Sequence, residues 1–138
     1  MIESYRDLLV WQKAMDLVEG VYDATLKLPA SERFGLVSQL RRAAVSIPSA
    51  LAEGHARAST REFSHYISIA RGSLAEVETQ LLLTRRLGFL PVEAVETLLA
   101  QCDEQSRLQR GLKKSIDHRI ATSQSRRSLA PSPSPLAP

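Results

Sequence analysis

Apolar residues recur about every 3.5 residues in four successive blocks of this chain, and turn-forming residues separate the blocks. That spacing keeps one side of a helix against a neighbour. Four such blocks with short connections specify an all-α fold, an antiparallel up-down four-helix bundle. In the first block, residues 7–28, the stripe Leu8, Trp11, Met15, Val18, Tyr22 and Thr25 is expected to face the core, and Pro29 ends the helix. The second, from Leu36 to about Arg57, offers Leu36, Leu40, Ala43, Ile47 and Ala50 and closes near Gly54. Ser59 or Thr60 can cap the third, with Glu62 complementing its N-terminus. That block runs to Leu87 with Phe63, Ile67, Ala70, Leu74, Val77 and Leu81 inward. Gly88-Phe89-Leu90-Pro91 reads as a stop and a restart. The fourth block, Val92 to about Ile120, turns in Val95, Leu99, Cys102, Ser106, Leu112 and Ile116.

Composition agrees with helices: aromatic residues are 5% of the 138, and the six glycines leave few β-turns. Residues 1–120 are expected to form one domain. Residues 121–138, where Pro131, Pro133, Pro135 and Pro138 stand among serines, are expected to be a disordered tail. Pro48 falls inside the second block, where it should kink the helix rather than end it, with Ser46 and Ser49 hydroxyls available to freed backbone groups.

The single Cys102 excludes an intramolecular disulfide and any CxxC metal or redox motif, which points to a reducing, cytoplasmic setting. The first apolar cluster, Leu8 to Trp11, is broken at once by Gln12 and Lys13, so neither a secretory leader nor a membrane partner is expected. Charge is unevenly distributed. Residues 1–104 hold 11 Lys/Arg against 14 Asp/Glu, whereas residues 105–138 hold 7 against 1. Cations in that last segment could meet phosphates by counterion release or simply form a solvated helix face, and no aromatic residues interleave with them.

A polar track crosses the second and third blocks: Gln39, Arg42, Ser46 and Glu53, answered by Tyr66, Ser73, Glu76 and Gln80. If the two blocks form an antiparallel hairpin turning near Ser59, Gln39 meets Gln80, Ser46 meets Ser73 and Glu53 meets Tyr66, because each pair of positions has the same midpoint. Arg42 then falls beside Glu76. The expectation is a structural ladder of hydrogen bonds with one ion pair, setting register between helices that approach closely over Ala43, Ala50, Ala70 and Ser73.

These segments also carry a resemblance. Gln39-Leu40-Arg41-Arg42-Ala43-Ala44-Val45-Ser46-Ile47-Pro48-Ser49, then Ala52-Glu53-Gly54, then the run from Ile69 to Leu81, resemble the signature of the bacterial four-helix-bundle family named for 23S ribosomal-RNA intervening sequences. The opening Leu8-Val10-Trp11-Gln12-Lys13-Ala14 is similar too, and the likeness covers roughly residues 5–120. The family usually has Asn-Ile before its Ala-Glu-Gly; this chain has Ala50-Leu51 there. The resemblance implies a homo-oligomeric ring, commonly a pentamer. It also implies kinship with the accessory protein of diversity-generating retroelements, a ring with a basic surface, and so a nucleic-acid-binding adaptor by analogy. Self-association also has support in the residues, since Leu9, Val10, Leu17 and Ala24 add apolar surface to the first block beyond its core stripe.

Enzyme readings find little. Glu62-Phe63-Ser64-His65 matches one Glu-x-x-His of a di-iron bundle, but such a site needs a second copy and two more inward carboxylates, and His65 falls on an outward position. His55 and His118 lack partner spacing, Cys102 lies on the core stripe, and no phosphate-cradling glycine loop occurs. No enzyme activity and no cofactor or metal are therefore expected. The favoured reading is an oligomer that binds RNA or DNA through Arg107, Arg110, Lys113 and Lys114, with Arg41, Arg71, Arg85 and Arg86 as further candidates. The alternative is a protein-interaction scaffold.

Overall fold

The computed structural model describes the backbone of residues 4–129 and the side chains of residues 4–126. Four helices follow one another, α1 (Leu9–Thr25), α2 (Leu36–Ala56), α3 (Thr60–Arg86) and α4 (Val92–Leu129), with short 3-10 turns at Tyr5–Asp7 and Ala30–Glu32. No strand occurs among the described residues. Each helix packs on two others in the cyclic order α1, α2, α3, α4, the up-down bundle that the four blocks specify.

Helix ends follow local chemistry. Ser4 opens the first turn with a capping box: its hydroxyl accepts from the Arg6 amide at 3.2 Å and Asp7 accepts from the Ser4 amide at 3.2 Å. Glu32 reaches forward to take the Leu36 amide at 3.2 Å, so a loop carboxylate caps α2 where Gly35 offers no side chain. Ser59 caps α3 by accepting from the Glu62 amide at 3.1 Å. At the far end Gly88 takes φ 71°, and the Phe89 and Gly88 amides close onto the Thr84 and Arg85 carbonyls at 3.1 and 3.0 Å. Only glycine adopts that left-handed turn without strain.

α2 continues through Pro48, whose ring is buried in the core. Ser46 donates to the Ala43 carbonyl at 2.7 Å, while Ser49 faces solvent. α4 continues to Leu129 instead of ending near Ile120. The reason is local: from Ala121 to Leu129 there is no proline or glycine to break it, and the first proline is Pro131. The remainder of the expected tail, 130–138, lies outside the described residues.

The stripes expected for α2 and α3 are buried, apart from a half-buried Phe63. In α1 the helix is rotated from the expected orientation. Val10, Ala14, Leu17, Val21 and Thr25 face the core, whereas Met15 and Tyr22 are exposed and Trp11 and Val18 sit at the edge. Both stripes repeat at the helical period, so periodicity alone does not choose between them. Close approach does: a Cβ on Gly20 would lie 2.9 Å from the Leu98 side chain and 3.0 Å from Gln101, so the face with Ala14 and near Gly20 lets α4 draw in.

Among the stripe residues expected in α4, Val95, Cys102 and Ile116 are buried, while Leu99, Ser106 and Leu112 are half-buried. Leu98, Gln105 and Gln109 join the core instead. Gln105 donates to the Val10 carbonyl at 3.0 Å, and Gln109 donates to the Gln105 side-chain oxygen at 2.9 Å. This contact puts the start of α1 opposite Gln105. Beyond Gln109, α4 is bonded to α3 through Lys113 and Asp117, which both meet Ser64. Among the described residues, no helix is long and apolar enough to cross a membrane.

Candidate functional site

All of the polar track except Glu53 and Tyr66 lies along one open groove of about 400 Å³ between α2 and α3, lined by Gln39, Arg42, Ser46, Ser73, Glu76 and Gln80 together with Ala43. Gln80 donates to Gln39 at 3.4 Å, a long rung that leaves its own oxygen buried without a partner. Tyr66 donates to Glu53 at 3.2 Å, and Arg57 closes the corner by donating to Glu53 at 3.0 Å and to the Tyr66 oxygen at 2.9 Å. Two expected contacts do not form. Ser46 turns to its own helix backbone and makes no bond to Ser73. Arg42 and Glu76, both exposed, make no ion pair within 4.0 Å. Both charges face solvent, where pairing two long side chains returns little for the freedom lost.

The hairpin draws close beside the Glu53–Tyr66 end of the track. A Cβ on Gly54 would fall 2.5 Å from the Tyr66 Cβ and 3.1 Å from the Phe63 ring, so this glycine sets how tightly α2 and α3 meet. The sequence reading treats it only as a helix end.

The cations expected at the surface separate into three groups. Arg107, Arg110 and Lys114 are exposed, stand at i, i+3 and i+7 on the same side of α4, and have no ion pair within 4.0 Å among the described residues. Exposed His118 continues that column one turn on. Arg71 and Arg86, on α3, are also exposed and have no ion pair within 4.0 Å among the described residues.

Three others are engaged. Arg85 lies 3.8 Å from Glu96. Arg41 stacks 4.4 Å above the Tyr22 ring and donates to the Thr25 hydroxyl at 2.9 Å. Lys113, adjacent to Lys114, points the other way. Its ammonium donates to the Ser64 hydroxyl at 2.6 Å and lies 3.4 Å from Asp117, while Ser64 donates to Asp117 at 2.6 Å. The Ser64 bond, aided by Lys113, holds the Asp117 carboxyl below its ordinary range. A lysine held this way ties α3 to α4, so Lys113 is engaged in a structural contact.

Side chains that the sequence analysis did not bring together cluster between α1 and α2. Tyr22, Arg33, Phe34, Arg41, Arg42 and Val45 line a wide groove of about 690 Å³. Phe34 is 88% exposed, with the Arg33 guanidinium 5.5 Å from its ring centroid. The available signal was the Arg33-Phe34 pair, a large aromatic beside a cation in a loop, where packing does not require either.

Burial pushes the Cys102 thiol up to about 12, with Glu78 and Asp103 adding to it, so it stays protonated at neutral pH. His65 is exposed beside Tyr66, and His55 packs edge-on to Phe63 at 5.6 Å. No cluster of three or more His, Cys, Asp or Glu among the described residues is placed to hold a metal ion.

No curated protein matches this chain. A crystal structure of a protein of unknown function from the S23 ribosomal protein family of Bacteroides thetaiotaomicron is similar, with 21% identity and a TM-score of 0.72. The likeness covers 77% of this chain and 99% of that one, and at this identity it shows a shared fold. Residues 6–111 match the 23S rRNA-intervening sequence protein family, from the first 3-10 turn to the middle of α4. The chain belongs to the 23S rRNA-intervening sequence protein family.

Proposed function

We propose that this protein is a non-enzymatic, cytoplasmic adaptor that self-associates and binds RNA through outward cations of its last helix. The observation that carries this reading is the column Arg107, Arg110 and Lys114 on α4, exposed and without an ion pair within 4.0 Å among the described residues. Solvated cations in a row release condensed counterions when they meet phosphates, and that gain needs no base-specific contact. Arg71 and Arg86 on α3 can extend the contact; Lys113 is occupied.

Self-association, a pentameric ring by family resemblance, draws on different residues from those first expected. Val10 and Leu17 are buried within the monomer and Ala24 is partly so, leaving Leu9 of that set exposed. Apolar surface remains on the outside of α3, where Leu82 and Leu83, with Leu87 just past its end, are 40–52% exposed beside Arg85 and Arg86. α1 offers a complementary face, with exposed Asp16, Glu19 and Asp23 at i, i+3 and i+7 near exposed Met15. Two different, complementary faces are what a head-to-tail ring requires. The same leucines favour the second reading, a scaffold that captures another protein.

Fluorescence anisotropy with a structured RNA, titrated over salt on protein of measured solution mass, separates the readings. RNA binding that weakens steeply with salt, and is lost in R107Q/R110Q/K114Q, supports the adaptor; salt-insensitive capture of a protein with no RNA binding supports the scaffold.

A further inference from the structure

We infer that the groove between α1 and α2 is a stacking site for unpaired nucleotides, which adds single strands to the nucleic-acid reading above and rests on it. Its walls combine two exposed aromatic rings with three arginines, and no Asp or Glu lines it. Tyr22 is 41% and Phe34 88% exposed, and each ring already carries a guanidinium, at 4.4 Å from Arg41 and 5.5 Å from Arg33. Among the described residues, none of Arg33, Arg41 and Arg42 has an ion pair within 4.0 Å.

One part of the groove is held in place from beneath. The Thr25 hydroxyl, 3% exposed, donates to the Tyr22 carbonyl at 3.0 Å and accepts from Arg41 Nε at 2.9 Å. This fixes the Arg41 fork over the ring and leaves its terminal nitrogens to face a ligand. Phe34 stands across the groove in the loop between α1 and α2, so bases can stack on it while phosphates meet the arginines. That combination of π-faces and a cationic track is how single strands are held without sequence readout.

Charge favours this occupant over a second copy of the chain. The exposed groove formed by Leu82 and Leu83 with Arg85 and Arg86 is basic as well, so pressing it onto this one sets arginine against arginine, while the acidic face of α1 in a second copy is taken up by basic α3 in the ring proposed above. A duplex does not fit the role of the rings either, because its bases are stacked on one another and offer no free face to Phe34 or Tyr22.

The test compares three labelled probes of equal length by anisotropy at fixed salt: a uridine 12-mer, an abasic 12-mer and an RNA duplex, with wild-type protein and the exposed-site variants Phe34→Ala, Phe34→Leu and Tyr22→Leu. Circular dichroism melting and solution mass are followed on every variant. The site predicts that each substitution weakens uridine binding about tenfold, leaves the duplex unchanged, and adds nothing to the weak binding of the abasic strand. Equal loss on all probes, or no loss on uridine, overturns it while the α4 reading survives through its duplex binding. Variants that lose self-association but keep uridine affinity would show a second copy in the groove and overturn it too. If the wild-type protein binds none of the probes, both readings fail together.

Discussion

The α2–α3 seam and the α1–α4 seam join neighbouring helices with opposite placements of polarity. Between α2 and α3 the centre is alanine, glycine and branched aliphatics, and the polar groups stand at the rim: the Gln39–Gln80 rung, the Arg57–Glu53–Tyr66 corner and the unpaired Arg42 and Glu76. Between α1 and α4 two glutamines occupy the centre, Gln105 and Gln109, both fully buried. The contrast separates two ways of fixing register. A small-residue seam fixes it by steric fit at Gly54, whereas a seam with a buried amide fixes it because a one-turn slip would leave that amide without the Val10 carbonyl.

The largest effect should come from the buried amide. Gln105→Ala removes a filled volume and leaves Gln109 without its acceptor, and should destabilise the fold by about 3 kcal/mol in a urea melt followed by circular dichroism. A change within a few tenths of a kcal/mol would mean that the amide does not hold α1 and α4 in register. Next is Gly54→Ala. Helix propensity alone would favour alanine by about 1 kcal/mol, but the Tyr66 Cβ stands in its way, so a net loss of about 1–2 kcal/mol is expected. A stabilised variant would show that α2 and α3 can separate slightly at no cost.

Smaller still is the effect of Glu78, where α3 faces α4. Burial, with Asp103 adding to it, raises this carboxyl above its ordinary value. A carboxyl raised in the folded state penalises folding once it is charged, and the penalty fades as pH falls through its folded pKa towards the unfolded value. Glu78→Gln should therefore raise Tm slightly at pH 7 and leave it unchanged below about pH 4. A Tm difference that persists at low pH would point to packing instead of charge. The smallest effect belongs to the rim: a double-mutant cycle of Arg42→Ala and Glu76→Ala should give a coupling of about 0.3 kcal/mol or less, against about 1 kcal/mol or more if the two pair in solution.

How much of this was readable in the sequence depended on whether the period was unambiguous. In α2 and α3 one stripe is clearly apolar, and the helices bury that stripe. In α1 two apolar stripes compete, and the choice came from packing against Leu98 and Gln101, partners distant in sequence. Gln105 was unreadable for a related reason: nothing local distinguishes a glutamine bound to a backbone carbonyl on another helix from one in water. Likewise Lys113 and Lys114 are adjacent in sequence, and only the position of Ser64 and Asp117 assigns one to structure and one to the surface. The groove residues Tyr22 and Phe34 were obscured because Tyr22 fits a core stripe and Phe34 sits in a loop.

The central claim concerns the exposed half of α4, and the salt dependence of RNA binding tests it most directly. Each phosphate contact adds about 0.7–0.9 to the slope of log K against log salt. In an anisotropy titration, R107Q/R110Q/K114Q should therefore weaken binding and flatten that slope by about two to three, while K113Q leaves the slope unchanged. An unaltered slope in the triple variant, with wild-type binding intact, would contradict the account and move the interface off α4.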